Sequence, residues 1–122
     1  MPVILVDTSI WIDHLRKTEQ RLEHLLNTNQ VLIHPLAAME LALGSLANRQ
    51  KVMANLFLLP QAQVGETDEL FRLIENRSLY RKGIGVTDLH LIASALLGGV
   101  LIWTRDRTLA GLAASFGLLA EI

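Results

Sequence analysis

The chain of 122 residues contains no cysteine. Disulfides, thiolate nucleophiles and cysteine-based zinc sites are therefore excluded, and the absence is compatible with a reducing cytoplasm. No basic segment precedes the first apolar run, so no secretory signal is recognisable. The longest apolar stretch, Leu91 to Trp103, is broken by Gly98-Gly99 and falls short of the ~20 residues that a membrane-spanning helix needs. A cytoplasmic protein without a membrane segment is the expectation. Net charge is −1, so there is no global basic signature for nucleic acid, and only a local basic rim is left open. Neither a P-loop nor a GxGxxG run is present, which gives no indication of a nucleotide cofactor. No GxSxG exists, which excludes a serine-hydrolase elbow. The four histidines, His14, His24, His34 and His90, show no ligand spacing such as HxxxH and read as surface or packing residues. Repeats, low-complexity tracts and linkers are also missing.

What is present is apolar and regular. About half of the residues are hydrophobic, enough for a core in a single domain spanning 1–122. Short apolar runs alternate with longer helical patterns, the mark of an α/β chain. The runs Val3–Val6, Gln30–His34 and Val100–Trp103 predict strands, with weaker ones near Ala62–Val64 and Leu118–Ala120. Helices are expected over about Ser9–Leu15, Glu19–Asn27, Pro35–Leu46, Arg49–Phe57, Glu66–Tyr80, Asp88–Leu97 and Arg107–Ser115, with Thr87 capping the sixth. Strands this apolar are covered on both faces, as parallel strands are. The expected fold is a three-layer α/β/α sandwich with a mainly parallel sheet of four to five strands. Ligands of such sheets bind beyond the carboxyl ends of the strands.

Four acids fall where that edge would be. Asp7 follows the first strand directly; alone, it is best read as a helix cap. Glu40 shares its helix face with Leu36, Ala37, Leu43 and Gly44, and a carboxylate stranded on an apolar face requires a partner. Asp88 has Leu91, Ile92 and Ala95 on its face, whereas His90 and Ser94 form a separate polar stripe, so Asp88 is expected to point into the protein. Asp106 follows the "VLIW" strand. Two acids thus sit after strands and two in the first turns of helices. Gathered carboxylates repel one another, and Mg²⁺ or Mn²⁺ with hard oxygen ligands is the natural counter-charge.

In this order and setting the segments "ILVDTSIWIDHLR", "IHPLAAMELALG", "RKGIGVTDLHLIASALL" and "LIWTRDRTLAGLA" resemble the PIN-domain metal-dependent ribonucleases, and among them the VapC toxins of toxin–antitoxin pairs. The resemblance spans essentially the whole chain and fills all four acidic positions of the family. It implies that Asp7, Glu40, Asp88 and Asp106 hold one or two Mg²⁺ or Mn²⁺ ions, with Ser9 and Thr104 supporting the acidic pocket. It implies hydrolysis of RNA to 5′-phosphate and 3′-hydroxyl ends. It further implies a homodimer, and a cognate VapB-type antitoxin whose tail blocks the acidic site. Thr8 and Ser9 are then expected to take over the capping role first given to Asp7, and Asp13 to lie in solvent or at the rim. Arg81, Lys82, Arg105 and Arg107 flank two of the acids and are candidates for RNA phosphate contacts. Two rivals remain open. A signalling receiver domain would show adjacent acids after the first strand and a lysine after the last, but Asp7 has no acidic neighbour and no lysine follows Lys82. The other rival is a PIN fold kept only for binding proteins.

Overall fold

The computed structural model describes residues 2–122. Three buried apolar triplets and doublets build the sheet: β1 (Ile4–Val6), β2 (Val31–Leu32) and β3 (Leu101–Trp103). All pair in parallel in the order β2-β1-β3, with Ile4 opposite both Val31 and Leu101 and Val6 opposite Trp103. Parallel neighbours need crossover connections, which the helices supply. These are α1 (Thr8–Arg16), α2 (Gln20–Asn27), α3 (Pro35–Leu43), α4 (Arg49–Phe57), α5 (Thr67–Asn76), α6 (Val86–Gly98) and α7 (Arg107–Ser115).

The period of two along β1 divides the core into two layers. Ile4 and Val6 point to one face, where they pack with Ile10 and Trp11 of α1, Leu22 of α2, Ala37 and Leu41 of α3 and Leu56 of α4. Leu5 points to the other, against Leu91, Ile92 and Ala95 of α6 and Leu109, Leu112 and Ala113 of α7. The three-layer sandwich expected from the sequence is the one observed.

The two weak strands shrink to single bridges. Ile33 pairs with Gln61 and Ile102 with Leu119, each held by two backbone bonds: Ile33 N–H to Pro60 O and Ala62 N–H to Ile33 O, Ile102 N–H to Leu118 O and Ala120 N–H to Ile102 O. They occupy the fourth and fifth sheet positions without the length of strands; at the first of them, Pro60 has no N–H to extend the ladder. Helix α3 stops at Leu43 rather than Leu46, where Gly44 turns to extended backbone. Helix α5 stops at Asn76 rather than Tyr80. Ser78 there adopts left-handed backbone (φ 51°) and the Leu79 N–H reaches back to Ile74 O, so that Leu79 folds into the core. Helix α6 ends the same way, with Gly99 at φ 63° and Val100 N–H on Ala95 O, which aims the chain straight into β3. The cap of α6 is Gly85, not Thr87, which lies inside the helix.

Candidate active site

Asp7 is where the site begins. Its backbone N–H donates to Trp103 O at 2.9 Å, which ties the end of β1 to the end of β3. Its side chain is buried and caps α1: Oδ2 accepts the Ser9 N–H at 3.4 Å, the Ser9 hydroxyl at 2.7 Å and the Thr104 hydroxyl at 2.7 Å. Capping therefore stays with Asp7 rather than passing to Thr8 and Ser9; the Thr8 hydroxyl is buried with no hydrogen bond among the described residues. Ser9 and Thr104 take the orienting role instead. All three donors converge on Oδ2, and among the described residues none reaches Oδ1, which is left for another partner.

The same two hydroxyls organise the turn after β3. Ser9 Oγ accepts the Arg105 N–H at 3.0 Å, and Thr104 Oγ1 accepts the Asp106 N–H at 3.0 Å. The hydroxyls stand 3.3 Å apart. Asp106 is exposed and caps α7 through Oδ1, which accepts the Leu109 N–H at 2.9 Å. One network of short polar side chains thus holds both strand-end carboxylates.

Asp88 lies in the first turn of α6, half-buried, with Oδ2 accepting the Gly85 N–H at 3.5 Å. Burial pushes its carboxyl above the usual range, and the negative charges of Asp106, Asp7 and Glu40 push it further, against the Gly85 N–H. The charges of Asp106, Asp7 and Glu40 are thus near enough to be felt at Asp88. Among the described residues no three of them close into a ready-made cage.

Two parts of the expectation change. Glu40 is not a stranded buried charge. It lies in the second turn of α3, exposed, and Met39 and Leu43 beside it are 55% and 88% exposed. The apolar face that seemed to bury it opens to water, next to a groove of ≈ 630 Å³ lined by Ile12, Leu15, Leu41, Leu46 and Val52 as well as Glu40. In α6 the polar stripe is reversed: Ser94 is 1% exposed and His90 half-buried, whereas Leu96 and Leu97 face outward. The His90 ring meets the buried His34 ring edge-on, with centroids 5.3 Å apart.

The basic candidates separate. Arg81, at φ 65°, and Lys82 are exposed in the loop before α6 and line a cleft of ≈ 340 Å³ with Tyr80, Ile84 and Val86. Arg107 is exposed at the start of α7. Among the described residues these three form no ion pair. Arg105 does: its guanidinium binds Asp13 and Glu19, two acids whose pairing the sequence did not announce. Asp13 is exposed at the rim, as expected.

As a donor set, the four carboxylates suit a hard cation. They offer oxygen donors and no thiolate, and a divalent ion would relieve like-charge repulsion among them.

Comparison with known proteins agrees with this geometry. The PIN domain family model matches residues 4–114, from β1 to α7, a span that contains all four acids. Ribonuclease VapC32 from two strains of Mycobacterium tuberculosis is 46% identical over 121 residues, covering 98% of this chain and 98% of the relative. The crystal structure of PAE2754 from Pyrobaculum aerophilum superposes with a TM-score of 0.62 over 90% of this chain and 78% of that one; at 17% identity the likeness concerns the fold alone. The receiver-domain alternative is thereby set aside. With its sheet order, its strand-end acids and a full-length relative in agreement, the chain belongs to the PIN-domain family, in its VapC group.

Proposed function

We propose that this chain is a metal-dependent endoribonuclease that acts as the toxin of a toxin–antitoxin pair. Near-full-length similarity to Ribonuclease VapC32 carries the reading, and the mutual charge of Asp88 with Asp7, Glu40 and Asp106 supports it. Asp7, Glu40, Asp88 and Asp106 would hold Mg²⁺ or Mn²⁺. When bound, the cation supplies the positive charge that offsets charge developing on a phosphodiester and makes water a competent nucleophile near neutral pH.

The chain's own residues do the positioning. Ser9 and Thr104 fix Oδ2 of Asp7, and Oδ1 would be the oxygen offered to the cation. The Thr104 hydroxyl holds the Asp106 backbone and the Leu109 N–H holds the Asp106 side chain, so the two strand-end acids share one hydrogen-bond network. Asp88 must be ionised to serve as a ligand; its pKa is raised without a cation, and positive charge that balances the neighbouring acids favours the ionised state. Arg81, Lys82 and Arg107, exposed beside the acids, are suited to hold RNA phosphates, which supply affinity rather than sequence choice.

Partners follow from the same reading: an RNA substrate, a second copy of the chain, and a VapB-type antitoxin encoded beside it. The apolar groove between α1 and α3, with Glu40 at its edge, suits the antitoxin tail that would cover the acids. No helix among the described residues is long and apolar enough to cross a membrane.

The test is RNA cleavage in Mg²⁺ by wild type and by Asp7→Asn. The asparagine side chain retains an oxygen to cap α1, so the fold should survive. Activity should fall by more than the ~100-fold that changes outside the ligand shell reach. A folded Asp7→Asn protein that cuts RNA as fast as wild type would remove the site assignment.

A further inference from the structure

Arg105 immediately precedes Asp106, the acid after β3, and its guanidinium is already paired rather than free. Nη1 donates to Asp13 Oδ2 at 2.7 Å, and Nη2 donates to Glu19 Oε2. Asp13 belongs to α1, and Glu19 is the residue that caps α2. Glu19 is itself placed by its backbone N–H, which donates to His14 Nδ1 at 3.0 Å. The guanidinium also lies 5.8 Å from the centre of the Trp103 ring at the end of β3. One planar fork therefore spans α1, the turn into α2 and the turn after β3. The backbone N–H of the same residue donates to Ser9 Oγ, the hydroxyl that holds Asp7. A fork with two acceptors is a geometry that lysine, a single point charge, does not reproduce.

We propose that Arg105 is a positioning residue: its clamp on Asp13 and Glu19 presses the Thr104–Asp106 turn onto α1 and sets the spacing of Asp7 and Asp106. The inference rests on the metal-site reading above. The pairs are partly exposed, with side chains 42% accessible at Arg105, 48% at Asp13 and 24% at Glu19. Exposed ion pairs add little to global stability, so the clamp acts on local geometry rather than on the fold.

The experiment compares wild type, Arg105→Met and the double variant Asp13→Ala/Glu19→Ala, which removes both acceptors, with two readouts. The first is hydrogen exchange of the Arg105 and Asp106 amides in metal-free protein. Both variants should exchange several-fold faster at these amides, with core amides of β1 and β3 unchanged. The second is Mg²⁺ titration by calorimetry together with RNA-cleavage kinetics. Both variants should bind Mg²⁺ roughly tenfold more weakly, at the lower end for residues behind a ligand shell, with KM for RNA held. The double variant is decisive, because removing two negative charges beside the site would strengthen RNA binding if Arg105 were a phosphate contact. Unchanged amide exchange in either variant overturns the clamp, whether or not metal binds. Loss confined to Arg105→Met and expressed in KM and its salt dependence also overturns it, and assigns Arg105 to the substrate. A wild type that fails to bind Mg²⁺ overturns the metal-site reading, while the exchange data still decide the clamp.

Discussion

His34 makes the acid stability of this protein calculable. The ring is 1% exposed at the N-terminus of α3, where Nδ1 accepts the Leu36 N–H at 3.0 Å. That bond fixes the neutral tautomer with its proton on Nε2. Burial, and then the charge of His90 opposite, lower its pKa from 6.5 to about 4. In the unfolded chain the same ring titrates near 6.5, so between pH 6.5 and 4 the unfolded state binds more protons than the fold. The contribution is complete above pH 6.5 and is lost as the pH falls towards 4. At about 1.4 kcal/mol per pKa unit the full loss is about 3 kcal/mol. About 2.5 kcal/mol of it is gone by about pH 4.5. Protonation also turns Nδ1 into a donor and breaks the cap on Leu36. An asparagine side chain supplies an oxygen in the place of Nδ1 and does not titrate, so His34→Asn keeps the cap. The assay is urea unfolding in EDTA of wild type and His34→Asn from about pH 7.5 to about pH 4.5. The variant starts less stable, because the smaller side chain fills the ring's space poorly. The gap between the two should narrow by about 2.5 kcal/mol across the range. A gap constant to within about 0.5 kcal/mol would refute the assignment of a depressed, burial-driven pKa to His34.

Two further outcomes follow from the acidic site. Thr104→Val removes a 2.7 Å hydroxyl donor from the buried Asp7 carboxylate and should lower stability in EDTA by about 1.5–3 kcal/mol, with Thr104→Ser largely spared. A loss in Thr104→Ser with Thr104→Val spared would show that the methyl group, not the hydroxyl, matters. Glu40→Gln removes one of three charges that raise the Asp88 pKa, so Asp88 should titrate lower by NMR in metal-free protein; an unchanged titration would place Glu40 outside the cluster. Because Glu40 is exposed, any gain in melting temperature from its neutralisation should be small.

Sheet, helices and the placement of the acids after strands were all legible in the chain, because each rests on local rules. The period of two in Ile4-Leu5-Val6 assigns faces, and apolar triplets bounded by Asp7 and Thr104 mark where strands end. What failed were inferences about what lies opposite a residue. Glu40 looked stranded because its helix neighbours are apolar, but Met39 and Leu43 beside it are exposed, and so is Glu40 itself. His90 and Ser94 looked like a solvent stripe, but α3 and the sheet lie against them.

By itself the sequence determined a parallel α/β sandwich, a cysteine-free chemistry and an ordered set of four acids, since patterning and spacing depend on nearest neighbours along the chain. Tertiary structure alone decided the rest. Asp7 caps a helix with a carboxylate tied to the end of β3 because Thr104, 97 residues away, arrives at the same oxygen as Ser9. Arg105 is turned from a free cation into a clamp because folding brings Asp13 and Glu19 within reach of its fork. Hydrogen bonds and ion pairs of this kind act over a few ångströms of space, a distance that separation along a chain does not measure.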